Sequence, residues 1–74
     1  MLLCDLKIGQ KSSIININLP VQEKIRLYNL GLINGTNIQT ILENKGIKAY
    51  LFRNILIAIR NKDAKKIIIE DIYD

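Results

Sequence analysis

The segment 25–36 constrains the fold of this 74-residue chain more than any other. It is typical of the last turns of a helix that ends at Gly31, because glycine adopts the left-handed conformation at a helix end without a Cβ clash. Leu32 stands where a hydrophobic side chain commonly folds back on the helix end. Asn34 and Gly35 form a strong turn signal, because both residue types tolerate positive φ. The segment therefore predicts a short helix held against the edge of a sheet.

Five short strands are predicted around this helix. They are separated by turn residues and occupy residues 13–18, 36–43, 47–52, 55–60 and 67–70. Alternation places Ile15 and Ile17 on the buried face of the first strand. Residues 55–59 are apolar on both faces, so we expect that strand to be central, with one face in the core and the other under the helix. Short strands with tight turns favour a small barrel, which removes exposed sheet edges.

The helix is expected to begin at Pro20, which suits a first helical turn, with Asn18 as its cap. A single helical or 3-10 turn is expected over residues 61–64, with Asn61 as its cap. The chain has room for one domain, residues 1–74, with a small core. We expect Leu3 and Leu6 to hold the N-terminal segment on that core, and residues 71–74 to form a loose tail.

Three motifs resemble the signature of the ferrous iron transport protein A (FeoA) family. The first is Arg-Leu-x-x-Leu-Gly-Leu-x-x-Gly-Thr, over residues 26–36. Residues 3–9 resemble the family's L-x-D-L-x-x-G opening, and residues 57–69 resemble I-A-L-R-x-x-E-A-x-x-I-x-V. The resemblance implies an SH3-like barrel with a helix inserted after the first strand. The positions matched to the family signature are Gly9, Arg26, Leu27, Leu30, Gly31, Leu32, Gly35, Thr36, Ala58 and Arg60.

Two positions depart from the family pattern. Asn34 stands where a proline is common before the glycine, and Asn54 stands where a glycine is common in the last hairpin. Asparagine adopts positive φ at modest cost, so the second change need not alter the fold. Neither departure bears on whether a binding partner is kept.

Catalysis and tight metal binding are disfavoured by the residue types present. There is no histidine, and the single cysteine, Cys4, has no neighbouring base in the sequence. Transition-metal sites need histidine, thiolate or a facial set of carboxylates, and no such spacing occurs. We therefore expect no enzyme activity, no cofactor and no stable metal site. If the protein serves iron transport, it does so without holding the ion.

The formal charge of +4 would help contact with an acidic partner or with nucleic acid. The basic residues are scattered and interleaved with acidic ones, which is typical of a solvated surface. No apolar run is long enough for a membrane helix, and the first residues lack the features of a secretory signal. A lone cysteine cannot form an internal disulfide. We expect a soluble, cytoplasmic protein with no direct membrane insertion.

The helix is apolar on two faces, and this provides the first candidate site. Leu27 and Leu30 lie on one side, and the resemblance, whose signature includes both positions, implies that they belong to the core. A second stripe lies on nearly the opposite side, with Lys24 and Arg26 at its rim, and consists of Val21, Ile25 and Tyr28. A helix that is apolar on two faces is either buried on both or offers one face to something else. The stripe could therefore be covered by the N-terminal leucines (Leu2, Leu3, Leu6), by a second copy of the chain, or by a partner.

A second candidate surface is the hairpin over residues 43–54, which mixes cationic and aromatic side chains as recognition surfaces often do. Its cations are Lys45, Lys48 and Arg53, and its aromatics are Tyr50 and Phe52. Either face of this hairpin could form the core. An ordinary solvent-facing hairpin is the alternative interpretation.

The resemblance implies an accessory module that binds FeoB, the membrane ferrous iron transporter, and supports or regulates it. A partner-binding domain follows from the residues themselves, but the identity of the partner rests on the family. Two alternatives remain. One is a basic barrel that binds nucleic acid, which the scattered lysines disfavour. The other is the SH3-like domain that ends some iron-dependent repressors.

Overall fold

The computed structural model describes residues 1–72. A 3-10 turn at Leu3–Asp5 precedes the first strand, and five strands and two helices follow. In chain order these are β1 (Lys11–Ile17), α1 (Val21–Asn29), β2 (Asn37–Asn44), β3 (Ile47–Phe52), β4 (Ile55–Arg60), α2 (Asn61–Ala64) and β5 (Ile67–Ile69). The prediction of a mainly β fold, with a helix after the first strand and a helical turn before the last, is confirmed.

The strands pair antiparallel in the order β4-β3-β2-β1-β5. One hydrophobic core lies on the inner face of this curved sheet. Leu3 and Leu6 are fully buried in it, which confirms that they hold the N-terminal segment in place. The rest of the core consists of Ile14, Ile17, Leu27, Leu32, Ile38, Tyr50, Phe52, Ile59, Ala64, Ile67 and Ile69. Of the predicted tail, residues 73 and 74 lie outside the described residues.

The inward residues of β1 differ from the predicted alternation. Ile14 and Ile17 are buried, whereas Ile15 is 42% exposed. The pairing with β5 shifts register between Ile14 and Asn16, so Ile15 is the extra residue of a β-bulge. The expectation that Ile15 shares the buried face with Ile17 is therefore wrong, because a bulge breaks the two-residue period.

Both predicted helix caps are also wrong. Pro20 precedes α1 with extended backbone angles, and the Asn18 Oδ1 atom accepts a hydrogen bond from Asn16 Nδ2 at 2.8 Å rather than capping the helix. At α2, Arg60 is the residue before the helix and Asn61 is its first helical residue. α1 therefore begins one residue after the expected position, α2 spans the expected residues 61–64, and neither helix has a side-chain cap.

The C-terminus of α1 forms the predicted glycine stop. Gly31 has φ +96°, and its N–H donates to the carbonyl of Tyr28 at 2.9 Å. The Leu32 N–H donates to the carbonyl of Leu27 at 2.9 Å, which completes a Schellman motif. Leu32 is fully buried, whereas Leu30 is 38% exposed. The assignment of Leu30 to the core is wrong, because the chain reverses at Gly31 and Leu32 takes the core contact.

β4 lies at the edge of the sheet, so the expectation that it is central is wrong. Its inward residues Ile55, Ile57 and Ile59 pair with the buried positions of β3. The opposite face is open, since Leu56 is 59% exposed and Ala58 is also exposed. An apolar sequence on both faces thus marks an edge strand with an uncovered outer face rather than a strand buried on two sides.

Candidate functional site

The second stripe of α1 is exposed. Val21 is 70% exposed, Ile25 is 51% exposed and Tyr28 is 39% exposed, although all three are hydrophobic. The three residues are spaced at i, i+4 and i+7 and so form a continuous strip along the helix. We call Val21, Ile25 and Tyr28 the α1 stripe. Isolated exposed hydrophobic residues are ordinary, but a contiguous strip on one helix is typical of a binding surface.

Lys24 borders this strip. Its Nζ atom lies 5.7 Å from the centroid of the Tyr28 ring, which is within the range of a cation–π interaction. The contact holds a positive charge beside the apolar strip. Arg26 is exposed on the same helix, and its place at the rim of the strip stays a prediction.

The N-terminal leucines do not cover the α1 stripe. Leu3 and Leu6 enter the core, and Leu2 pairs with Ile68 beside β5. Leu27 is the single residue of α1 that is buried. The helix therefore contacts the core through one side chain and leaves its other apolar face to solvent. Of the three predicted occupants of the stripe, a second copy and a partner remain.

The residues of the second predicted surface lie partly in the core and partly in solvent. Tyr50 and Phe52 are buried on the inner face of β3, so they are not available for recognition. Lys45 and Arg53 are exposed, but they lie in the turns at opposite ends of this six-residue strand, which is about 20 Å long. The structure therefore does not bring the predicted cations and aromatics of the hairpin together.

The structure corrects the prediction that Lys48 contacts a partner. It is only 6% exposed, and its ammonium group donates to the carbonyls of Cys4 at 2.6 Å and Leu6 at 3.3 Å. Glu43 Oε1 lies 3.9 Å away across the β2–β3 pair. An ammonium group buried in this way is occupied in holding the N-terminal segment, and it does not face a partner.

Arg53 lies against the end of α1. A Cβ atom built at Gly31 would be 3.3 Å from Arg53 Cδ, so glycine at this position allows the close approach. A cation near the C-terminus of a helix is favoured by the helix dipole. The turn between β3 and β4 is thus joined to the helix that carries the α1 stripe.

The reactive side chains do not form a catalytic or metal-binding constellation within residues 1–72. No group of three or more histidine, cysteine or acidic side chains is close enough to hold a metal ion. Burial, followed by the charge of Asp5, raises the pKa of the Cys4 thiol. A raised thiol pKa leaves less thiolate at neutral pH and lowers nucleophilicity.

An open groove lies beside β4, and the sequence patterns do not predict it. It holds about 450 Å³ and lies between α1 and β4. Its lining includes Leu27 and Arg26 from the helix and Ile57, Ala58 and Arg60 from the strand. The available signal is the apolar character of both faces of residues 55–59, which in the sequence favours a central strand.

The fold and these surfaces define a small antiparallel β-barrel domain that carries an exposed apolar helix face. The chain belongs to the FeoA domain family, whose model matches residues 1–71. The predicted family is therefore confirmed. No curated protein matches the chain significantly. No helix within residues 1–72 is long and apolar enough to cross a membrane.

Solved structures share this fold at low sequence identity. The FeoA protein of Chlorobium tepidum is 20% identical with a TM-score of 0.84, and the match covers 93% of this chain and 68% of that one. The zinc complex of Stenotrophomonas maltophilia FeoA is 18% identical with a TM-score of 0.78, covering 95% of this chain and 89% of that one. The latter is described as an SH3 domain protein and a candidate activating factor for ferrous iron transport. The SH3-like prediction agrees with this.

A third similar structure is a manganese-dependent transcriptional repressor. It is 11% identical with a TM-score of 0.79, and the match covers 90% of this chain but only 39% of the repressor. At this identity the similarity shows the fold alone. The repressor therefore contains a domain of the same shape within a longer chain.

Proposed function

We propose that this protein is an accessory module for ferrous iron uptake that docks on the cytoplasmic part of a FeoB-type membrane transporter and supports or regulates it. The exposed α1 stripe carries this proposal. Membership of the FeoA family supports the assignment to iron transport. The choice of FeoB as partner rests on that family resemblance.

The α1 stripe supports docking on a protein because its chemistry matches the centre of an interface. Apolar and aromatic side chains at the centre of an interface, bordered by polar groups, provide most of the binding energy. Val21 and Ile25 supply the apolar centre, Tyr28 supplies an aromatic anchor, and Lys24 lies at the border. The formal charge of +4 favours an acidic surface on the partner.

No step of chemistry is assigned to the domain itself. Its thiol has a raised pKa, and its described acidic groups do not cluster. On this proposal the domain acts by contact, and any effect on transport follows from the partner state that it stabilises. The iron ion is the cargo of the transporter rather than a ligand of this chain.

The proposal is tested by NMR titration of the isotope-labelled protein with the cytoplasmic domain of the cognate transporter. We expect shift changes at Val21, Ile25 and Tyr28. An Ile25→Asp variant should weaken binding by about tenfold or more, because it places a charge in the apolar centre.

Leu42→Asp is the matched control, because Leu42 is a 60% exposed hydrophobic residue on β2 and not on the helix. Its affinity should equal that of the wild type. Equal weakening by both variants would contradict a specific role for the α1 stripe, and so would an unshifted stripe at saturating partner. The spectra of the free variants establish that both remain folded.

A further inference from the structure

The two edges of the sheet differ in whether their outward backbone groups have hydrogen-bond partners. The outer edge of β5 is covered, because Leu2 pairs with Ile68 and the Ile69 N–H donates to the carbonyl of Met1 at 2.8 Å. At the other end of the strand order, β4 pairs with β3 alone among the described residues. One edge thus has its backbone groups satisfied, and the other does not.

The hairpin geometry identifies which backbone groups of β4 are free. Arg53 and Asn54 both have positive φ, at 49° and 63°, which makes a two-residue type I′ turn. In such a hairpin the flanking pair, Phe52 and Ile55, is hydrogen-bonded, and bonded and non-bonded pairs then alternate along the ladder. The Asn61 N–H donates to the carbonyl of Gly46 at 2.8 Å, which continues the same alternation beyond the strand.

This alternation directs the N–H and C=O groups of Leu56, Ala58 and Arg60 away from β3. Among residues 1–72, no hydrogen bond outside the β3–β4 ladder reaches the groups of Leu56 and Ala58, whereas the Arg60 carbonyl lies at the N-cap of α2. The groups at Ala58 and Arg60 border the groove between β4 and α1. The edge therefore presents a row of donors and acceptors beside an open space.

Side chains do not protect this edge. Open edge strands are usually blocked by proline, by a bulge or by a charged side chain that points inward. β4 has no proline, its register with β3 is unbroken, and its one charge is at the terminal Arg60. An edge left open in this way is a template for a further strand.

We propose that the open edge of β4 binds an extended segment of a partner protein by strand addition, and that this segment is acidic. Three cations, Arg26, Arg60 and Lys62, line the groove with two carboxylates, Glu23 and Asp63. A second copy of the chain would bring the same net charge of +4 and the same cationic groove walls. Charge complementarity thus favours an acidic peptide over self-pairing.

This inference does not depend on the α1 stripe or on the identity of the transporter. The free backbone groups belong to β4, and the stripe belongs to α1. Residues of α1 also line the groove, but Val21, Ile25 and Tyr28 are not among them, so the two surfaces can be tested separately with different variants.

The test uses a synthetic peptide of alternating valine and serine, flanked by aspartates and capped at both ends. Amide hydrogen exchange is measured by NMR. In the free protein the amides of Leu56 and Ala58 should exchange rapidly while those of Ile57 and Ile59 are protected. At saturating peptide, exchange at Leu56 and Ala58 should slow by about tenfold or more, since each N–H then donates to the added strand.

Two controls separate strand addition from other binding. A peptide N-methylated at every residue keeps its side chains but has no N–H donor on either edge, so it cannot pair and should bind at least about tenfold more weakly. The Ala58→Pro variant should show the same loss of affinity for the unmethylated peptide. It removes an N–H that faces away from β3, so the β3–β4 ladder is retained.

Several outcomes would overturn the proposal. They are protection of the Leu56 and Ala58 amides in the free protein at all concentrations, equal binding of the methylated peptide, and peptide-induced shifts confined to α1. Concentration-dependent protection of β4 without peptide would show that a second copy occupies the edge. Equal binding of a lysine-flanked peptide would overturn the acidic specificity.

Discussion

At the scale of single residues, Tyr50 combines complete burial with an unpaired hydroxyl. Its side chain is inaccessible, and its Oη atom has no hydrogen-bond partner within the described residues. Burial, with smaller contributions from the charges of Cys4 and Glu43, raises the pKa of Tyr50 well above its ordinary value of 10.0. The ring contributes packing, whereas the hydroxyl contributes a desolvation penalty.

We therefore expect Tyr50→Phe to be neutral or stabilising by about 1 kcal/mol at neutral pH. The pH dependence should also change. Above pH 10.0 the unfolded tyrosine loses its proton while the folded one keeps it, so stability falls as pH rises. This group contributes a slope of up to about 1.4 kcal/mol per pH unit, which the variant should lack.

The measurement is urea unfolding of both proteins at several values between neutral pH and about pH 11. The plots of unfolding free energy against pH for the two proteins should diverge near the ordinary tyrosine pKa of 10.0. A variant that is several kcal/mol less stable at neutral pH would show that the hydroxyl has a favourable partner. Parallel pH profiles would show that its pKa is not raised.

Single residues also show where sequence reasoning succeeds. Gly31 and Gly35 were predicted as stop and turn from local chemistry, and both have positive φ. The Thr36 N–H donates to the carbonyl of Ile33 at 3.0 Å, which closes that turn. The burial of Lys48 was not predictable, because its acceptors, the carbonyls of Cys4 and Leu6, are more than forty residues away in the sequence.

At the scale of elements, Lys48 connects β3 to the N-terminal 3-10 turn. Its ammonium group donates to two carbonyls of that segment, and one of them, Leu6 O, also accepts from Thr40 Oγ1 at 3.1 Å. Hydrogen bonds from charged donors are among the stronger ones in proteins. The segment that covers the edge of β5 is therefore held from the opposite side of the core.

We expect Lys48→Met to destabilise the protein by about 1–3 kcal/mol, because the methionine keeps the apolar stem but loses the charged donor. Amide exchange should accelerate over Leu3–Asp5 more than over β2 and β3. Urea unfolding and hydrogen exchange measure the two effects.

Lys45→Met is the matched control, because Lys45 is exposed in the β2–β3 turn. It should change stability by less than about 0.5 kcal/mol. If the two variants behave alike, the buried ammonium contributes nothing specific to the N-terminal segment.

Element positions were predicted better than element environments. The bounds of β3 and β4 follow from turn residues, and they match the structure. The bulge at Ile15 and the edge position of β4 depend on which strands become neighbours. Local periodicity carries no information on that, so the predicted inward face of β1 and the predicted central strand were both wrong.

At the scale of the whole molecule, the distribution of charge and aromatic groups bears on the nucleic-acid alternative. Tyr50 and Phe52 are buried, and Tyr28 is the single exposed aromatic side chain within residues 1–72. The cations Lys45 and Arg53 lie at opposite ends of β3. Binding of single strands needs a basic groove with stacked aromatics, and these groups do not form one.

We therefore expect mixed-sequence oligonucleotides to bind weakly at low salt and not measurably at physiological salt. Fluorescence anisotropy at several salt concentrations provides the measurement. Retained binding with a steep salt dependence would indicate many phosphate contacts and would favour the nucleic-acid alternative. A small basic protein of known weak affinity provides the reference.

The order of the strands also predicts the order in which parts of the molecule fold. β2, β3 and β4 join neighbours along the chain through two tight turns, whereas β1 meets β5 from the far side of the sequence, as the pairing of Ile14 with Ile69 shows. Closing a long loop costs more entropy than closing a short one, and distant contacts slow folding. The β2–β3–β4 meander should therefore form first, and the N-terminal segment should dock last.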